Sequence, residues 1–383
     1  MLDEARERHT EFQRRLAVEG VELAVITDEA SIAYLAGFWG YLGVEFGRPT
    51  CLIVRPDADP VVLTPLMESE MVAAMTWVDE IVTWEDMGSN HWSNLLPGLL
   101  GHAQNIGVEK GSIPAILRNW FDAEMPRADL RDVSSLLGAM RMIKSPGEIA
   151  VMRAAGVVAG AMMAAAHQAL SEGAPEYEAA LAVIAAGTRR AAGFLTAQGW
   201  EAFVSPMIHG LQVMQSGSQT SMVHRRASVK RFAAGDPVYF CFCNMAQFKL
   251  YKLGFDRMFF VGHASDAAAR VQEAAIAAQQ AAIAAIRPGV TAQSVAEAAD
   301  EVYRTHGHQT GYRTGRSIGM SYLEAPELKA GDLTVLRPGM TFAVDGGISL
   351  DGQCGGRIGD SVVVTDTGCE YLTNYPRELL IAG

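Results

Sequence analysis

A chain of 383 residues exceeds what one hydrophobic core organises and points to two domains. Hydrophobic residues make up 49% and charged residues 19%, the balance of a globular chain rather than a disordered one. A formal charge of -12 repels phosphate backbones and excludes nucleic acid as an expected partner, and the basic cluster at Arg225, Arg226, Lys230 and Arg231 is small.

The opening stretch, MLDEARERHTEFQRRLAVEG, mixes both charge signs, so no secretory signal is read there, and its spacing predicts a helix over 4–19. Short apolar runs at 21–26, 50–54, 60–63, 80–82 and 105–108 read as strands, with helical spacing at 31–35 and 67–74. Strands alternating with helices give a layered α/β domain over residues 1–140. The character then changes. Ser145-Pro146 with Glu148 three residues on is a capping-box start for a helix to about residue 170. Further helices are expected at 176–192, 265–286 and 292–306, and strands at 237–242, 257–261, 340–344 and 361–365. Two helices, strands, two helices, strands over 141–383 describe an α+β domain built of two similar halves. The Ala-rich runs are interrupted by polar residues, so no membrane span is expected. Five scattered cysteines without CxxC spacing indicate free thiols and a cytoplasmic location, with Cys241 and Cys243 expected as buried structural thiols.

An ordered set of short segments then carries a resemblance. It comprises MIKSPGEIAVMRAA at 142–155, Gln215-Ser216-Gly217, His224, Gly235-Asp236, Asp256-Arg257-Met258-Phe259-Phe260, Gly315-Arg316-Ser317-Ile318-Gly319, the 337–345 segment ending in Asp345, and Gly356-Arg357-Ile358-Gly359-Asp360. Together these resemble the creatinase/prolidase/aminopeptidase P family. The resemblance implies a C-terminal pita-bread catalytic domain preceded by a smaller creatinase-type N-terminal domain.

Metal-dependent relatives hold two divalent ions with two Asp, one His and two Glu. By resemblance those positions fall here at Cys241 (or Cys243), Gly254 (or Lys252), Arg316, Asp345 and Gly359. Only Asp345 could ligate a hard cation, because a guanidinium offers no lone pair and glycine no side chain. The expectation is therefore no metal and no cofactor. Creatinase, itself metal-free, supplies the other pattern. Carried over residue by residue, His224 is the acid/base, Asp256 and Asp345 grip a cationic group, and Phe46 and Arg48 of a Phe-Gly-Arg segment reach into the partner subunit's active site. Arg316, Tyr251 and Lys252 are further candidates to line the substrate, and Arg357 reads as a structural partner of Asp360.

The chemistry suits these types. Breaking a C–N bond without metal needs one group to activate water and one to protonate the leaving nitrogen, and imidazole can do both near neutral pH. The expected function is a metal-independent hydrolase cleaving a C–N bond of a small, polar, zwitterionic amidino, guanidino or amide compound. The alternatives are the same site turned to elimination or cyclisation, an inactive binding module, and a divalent-metal peptidase. The expected partners are a small-molecule substrate and a second copy of the chain, a homodimer, with no nucleic acid and no membrane.

Overall fold

The computed structural model describes residues 2–40, 46–199, 203–210, 212–309 and 313–383. The chain divides into two units, Met1–Arg141 and Met142–Gly383.

The first unit runs α1 (Leu2–Val18), β1 (Leu23–Ile26), α2 (Glu29–Ala36), β2 (Cys51–Arg55), β3 (Ala58–Pro65), α3 (Ser69–Met75), β4 (Glu80–Trp84), α4 (Trp92–Leu100), β5 (Asn105–Val108), α5 (Ala115–Glu124), β6 (Asp129–Asp132) and α6 (Ser134–Arg141). Helix α1 buries Ala5, His9, Phe12 and Leu16, one stripe at helical spacing, while Asp3, Glu7 and Arg14 are exposed. The six strands form one sheet in the order β4-β3-β2-β1-β5-β6, with β1 buried along its whole length at the centre. Leu23, Val25, Leu63 and Ile106 on the sheet pack with Trp92, Leu96, Trp120 and Phe121 from α4 and α5. Helices α4 and α5 and strand β6 were not expected from the sequence. Pro97 inside α4 hides it, and β6 alternates a single buried Leu130 with charged residues.

The second unit follows the expected order. It has α7 (Pro146–Gln168) and α8 (Glu176–Ala197), then β7 (Val213–Ser216), β8 (Pro237–Cys241), β9 (Ala246–Phe248), β10 (Tyr251–Leu253) and β11 (Asp256–Val261). Next come α9 (Asp266–Ala285) and α10 (Ala292–Thr305), then β12 (Gly315–Ser317), β13 (Glu324–Leu328), β14 (Thr341–Leu350), β15 (Cys354–Val364), β16 (Cys369–Tyr371) and β17 (Leu380–Ala382). The capping box is present: the Ser145 hydroxyl accepts from Glu148 N, and Glu148 Oε2 accepts from Ser145 N. Helix α7 is long and apolar enough to cross a membrane, contrary to expectation, but it buries Met152, Ala155, Ala159, Met162 and Met163 within this unit.

The main sheet runs β13-β12-β14-β15-β11-β8-β7, with β16 on β15 and β17 on β11. Strands β14 and β15 are far longer than their apolar runs suggested, and they pair from Thr341–Val363 to Leu350–Cys354. Their glycines looked like breaks. Instead they let α9 lie directly on the sheet, since a Cβ at Gly346 would sit 2.2 Å from Ala275 O and one at Gly356 would sit 2.7 Å from Val271 O. The small residues Ala274, Ala275, Ala278 and Ala282 of α9 then close the core against Phe342, Val344 and Val362.

Arg316 is the middle of β12, paired to Ala343. One local reading is corrected. Arg357 does not serve Asp360. It donates to Gly356 O, Ile348 O and Ser349 Oγ, and Asp360 is held by Arg257 and Arg377. The small basic cluster is largely used internally, with Lys230 3.0 Å from Asp236, Arg225 3.9 Å from Glu176, and Arg231 donating to Gly173 O.

Candidate active site

One rank of the main sheet assembles the site. Asp345 pairs with Gly359, Gly359 with Asp256, and Asp256 with Cys241. Residues directly opposite in an antiparallel ladder point to the same face, and so do residues two apart along a strand. That face therefore carries Tyr239, Cys241, Asp256 and Asp345. Arg316, opposite Ala343, joins them from β12.

Gly359 is the reason the two carboxylates share one place. A Cβ there would lie 3.0 Å from both Asp256 Oδ2 and Asp345 Oδ1, so the acids occupy the volume a side chain would claim. Arg316 is 4% exposed and donates through Nη1 to Asp345 Oδ2 and through Nη2 to the Tyr322 hydroxyl, with its guanidinium 4.3 Å above the Tyr322 ring. Burial opposes its charge, but Asp345 and its other neighbours outweigh that and raise its pKa. Asp256 is 7% exposed and accepts from Tyr239 Oη at 2.9 Å. Burial pushes its pKa up to about 6, Asp345 adds to the rise, and Cys241, Arg316 and Tyr239 oppose it. Asp256 Oδ1, Asp345 Oδ1 and Arg316 Nε are buried without a hydrogen-bond partner. Two bare acceptors thus stand beside one bare donor on this face.

The thiols face this cluster. Cys241 is buried in β8, Cys243 is half-buried just beyond it, and their sulfurs are 2.7 Å apart. The Tyr322 hydroxyl is 3.5 Å from Cys243 Sγ.

None of the other expected residues stands on that rank of the main sheet. His224 is exposed on a loop whose next residue, Arg225, accepts from Met214 N on the outer edge of β7, beyond β8 and β7 from Asp256. Tyr251 is buried and gives its hydroxyl to Glu148 at 2.9 Å, tying β10 to α7. Lys252 donates to Met320 O at 2.7 Å. In the first unit, Phe46 is 66% exposed, and Arg48 pairs with Asp86 and reaches Met67 Sδ. Sequence reasoning missed Tyr239 and Tyr322. Tyr239 sits two residues before Cys241 and was legible from strand alternation, whereas Tyr322 follows an irregular stretch and carried no signal.

The metal centre implied by resemblance does not fit these residues. Of the two registers left open for its second acid, Gly254 is the position against the site, since a Cβ there would meet Arg316 Nη2 at 3.1 Å. Arg316 puts a fixed positive charge where a ligand imidazole would stand, Gly254 and Gly359 offer nothing, and a side chain at 359 would collide with both aspartates. Among the described residues no three His, Cys, Asp or Glu side chains gather as ligands.

The Metallopeptidase family M24 profile matches residues 150–366, and the Creatinase/Prolidase N-terminal domain profile matches residues 8–143. The agropine synthesis cyclase of Rhizobium rhizogenes is 28% identical over 93% of this chain and 92% of its own. The creatinase of a Bacillus species is 26% identical over 98% of this chain and 91% of its own. The prolidase structure from Pyrococcus horikoshii superposes with a TM-score of 0.83 at 22% identity, covering 98% of this chain and all of that one, which shows the fold. A pita-bread unit behind a creatinase-type domain, both matched along nearly their whole length, makes this chain a member of the creatinase/prolidase group of hydrolases within family M24.

Proposed function

We propose that the chain is a metal-independent enzyme acting on a C–N bond of a small zwitterionic compound, with Asp256, Asp345 and Arg316 as its binding and proton-transfer centre. The observation that carries this reading is the Arg316–Asp345 pair in the place of a metal ligand set, with two bare carboxylate oxygens and one bare guanidinium N–H beside it. Two acceptors and a donor complement a planar amidino or amide group, whose N–H bonds meet the carboxylates. Asp345 is already neutralised by Arg316, so the cluster offers about one net negative charge when Asp256 is ionised and none when it is protonated. That charge suits a substrate that is itself zwitterionic better than a bare cation.

Asp256 is suited to general acid catalysis, because a pKa near 6 leaves it able to hold a proton for a departing nitrogen close to neutral pH. His224 stays the proposed partner acid/base, on the residue-by-residue match to creatinase, and Phe46 and Arg48 stay proposed contributors to a partner subunit's site in a homodimer. A second reading is favoured by the similarity to agropine synthesis cyclase: the same proton transfer, with a group of the substrate rather than water as nucleophile.

The test is a turnover assay on a panel of small amidino, guanidino and amide acids in EDTA. Turnover that survives the chelator and disappears in His224→Ala, with an unchanged melting temperature, supports the reading. Activity that needs added Mn(II), Co(II) or Zn(II) overturns metal independence, and full activity in His224→Ala removes that residue. Running the reaction in ¹⁸O-water separates the two readings, since only hydrolysis puts the label in the product.

A further inference from the structure

We propose that Cys241 and Cys243 form a two-thiol redox centre on the floor of the site, which closes to a disulfide by exchange with a low-molecular-weight disulfide and opens again with dithiol. The two sulfurs are 2.7 Å apart, already inside van der Waals contact, and a disulfide needs only about 2.05 Å. Both are free thiols, separated by the single residue Phe242 where the chain leaves β8.

The two are not equivalent. Cys243 is half-buried, and its pKa is lowered: the hydrogen bond with Cys241 acts most strongly, burial opposes, and the Tyr322 hydroxyl and the Arg316 charge add to the lowering. Cys241 is fully enclosed, and its pKa is raised by the hydrogen bond to Cys243 and by burial. The other three thiols lack such a partner. Burial pushes Cys51 up to about 12 and also raises Cys354 and Cys369.

This asymmetry assigns the roles. The Cys243 thiolate attacks one sulfur of an external disulfide RSSR, the S–S bond breaks, and one thiolate leaves and takes a proton from water. Cys241 then loses its proton and attacks Cys243 Sγ, expelling the second thiolate. The sum is two protein thiols plus RSSR giving one protein disulfide plus two RSH, so the two electrons lost by the protein are those gained by the reagent. Closure withdraws the Cys241 thiol from Asp256 and the Cys243 sulfur from Tyr322. The bridge thereby acts on the groups proposed above for binding and proton transfer, although its formation rests only on the thiol geometry.

The experiment treats the whole protein with oxidised glutathione, alkylates the remaining thiols under denaturing conditions, and measures intact and peptide masses. Both cysteines fall in one tryptic peptide, residues 232–249. The expected product is two hydrogen atoms lighter in that peptide, restored by dithiothreitol, with Cys51, Cys354 and Cys369 alkylated. In Cys241→Ser the expected product is a lasting glutathione adduct on Cys243. Full alkylation of both thiols after the treatment overturns the proposal, as does a bridge that involves any of the other three cysteines. The wild-type peptide decides the matter even if Cys241→Ser fails to fold.

Discussion

Asp360 and Asp256 sit on neighbouring strands of one sheet, and a one-residue offset sends them to opposite faces. Asp360 is fully buried and fully answered. Arg257 donates to it at 3.0 Å, Arg377 at 3.0 and 3.2 Å, Gln279 at 3.0 Å and Thr373 at 2.8 Å. Asp256 is nearly as buried, yet it has one oxygen bonded to Tyr239 and the other bare, and the charge that acts on it most is that of another aspartate, Asp345. The same residue type therefore serves structure on one face and has spare bonding capacity on the other. Burial alone does not separate the two roles; satisfaction of the polar atoms does.

The comparison can be broken by substitution. The largest effect is expected at the satisfied face: Asp360→Ala leaves Arg257 buried and uncompensated and should cost about 3–5 kcal/mol in denaturant unfolding, or prevent folding altogether. A loss below 1 kcal/mol would show that the Asp360 network holds nothing together. Next, Asp256→Asn keeps an acceptor for Tyr239 and removes a desolvated charge. It should lower turnover on a substrate found by the assay above by roughly 100-fold or more while leaving stability at neutral pH intact or improved. A variant that is clearly less stable yet, while folded, turns over as fast as the wild type would make Asp256 structural after all.

The smallest effect is in pH dependence. Burial raises the Asp256 pKa from 3.8 to about 6, so the folded state binds the proton more tightly than the unfolded chain. Its contribution thus favours folding below the unfolded value and is lost as pH rises from about 4 through 6, with little change above. Subtracting the Asp256→Asn stability profile from that of the wild type should reveal this falling slope. If protonated Asp256 is the acid, kcat/KM should also decline above about pH 6 in the wild type. A rising difference profile would mean that Arg316 and Tyr239 outweigh burial.

Much of the chain was legible beforehand. Ser145-Pro146-Gly147-Glu148 announced the start of α7 because its caps are local chemistry. Strands such as β1 and β8 announced themselves by unbroken apolar runs. The ordered motifs identified the fold. The extent of β14 and β15 was not legible, because glycines that weaken an isolated strand are needed where a helix lies on it. Nor was the partner of Asp360. Arg357 is close in sequence, but Arg257 and Arg377 reach the carboxylate, since partners on a sheet are set by which face each residue takes.

The sequence by itself determined the residue types: an inventory of two aspartates, an arginine and two thiols, read at positions picked out by the family resemblance. Tertiary structure alone decided their relations, because register and the missing Cβ at Gly359 set which atoms meet. Those two features placed Asp256 against Asp345 and locked Arg316 onto one of them, and a linear pattern of residues encodes neither.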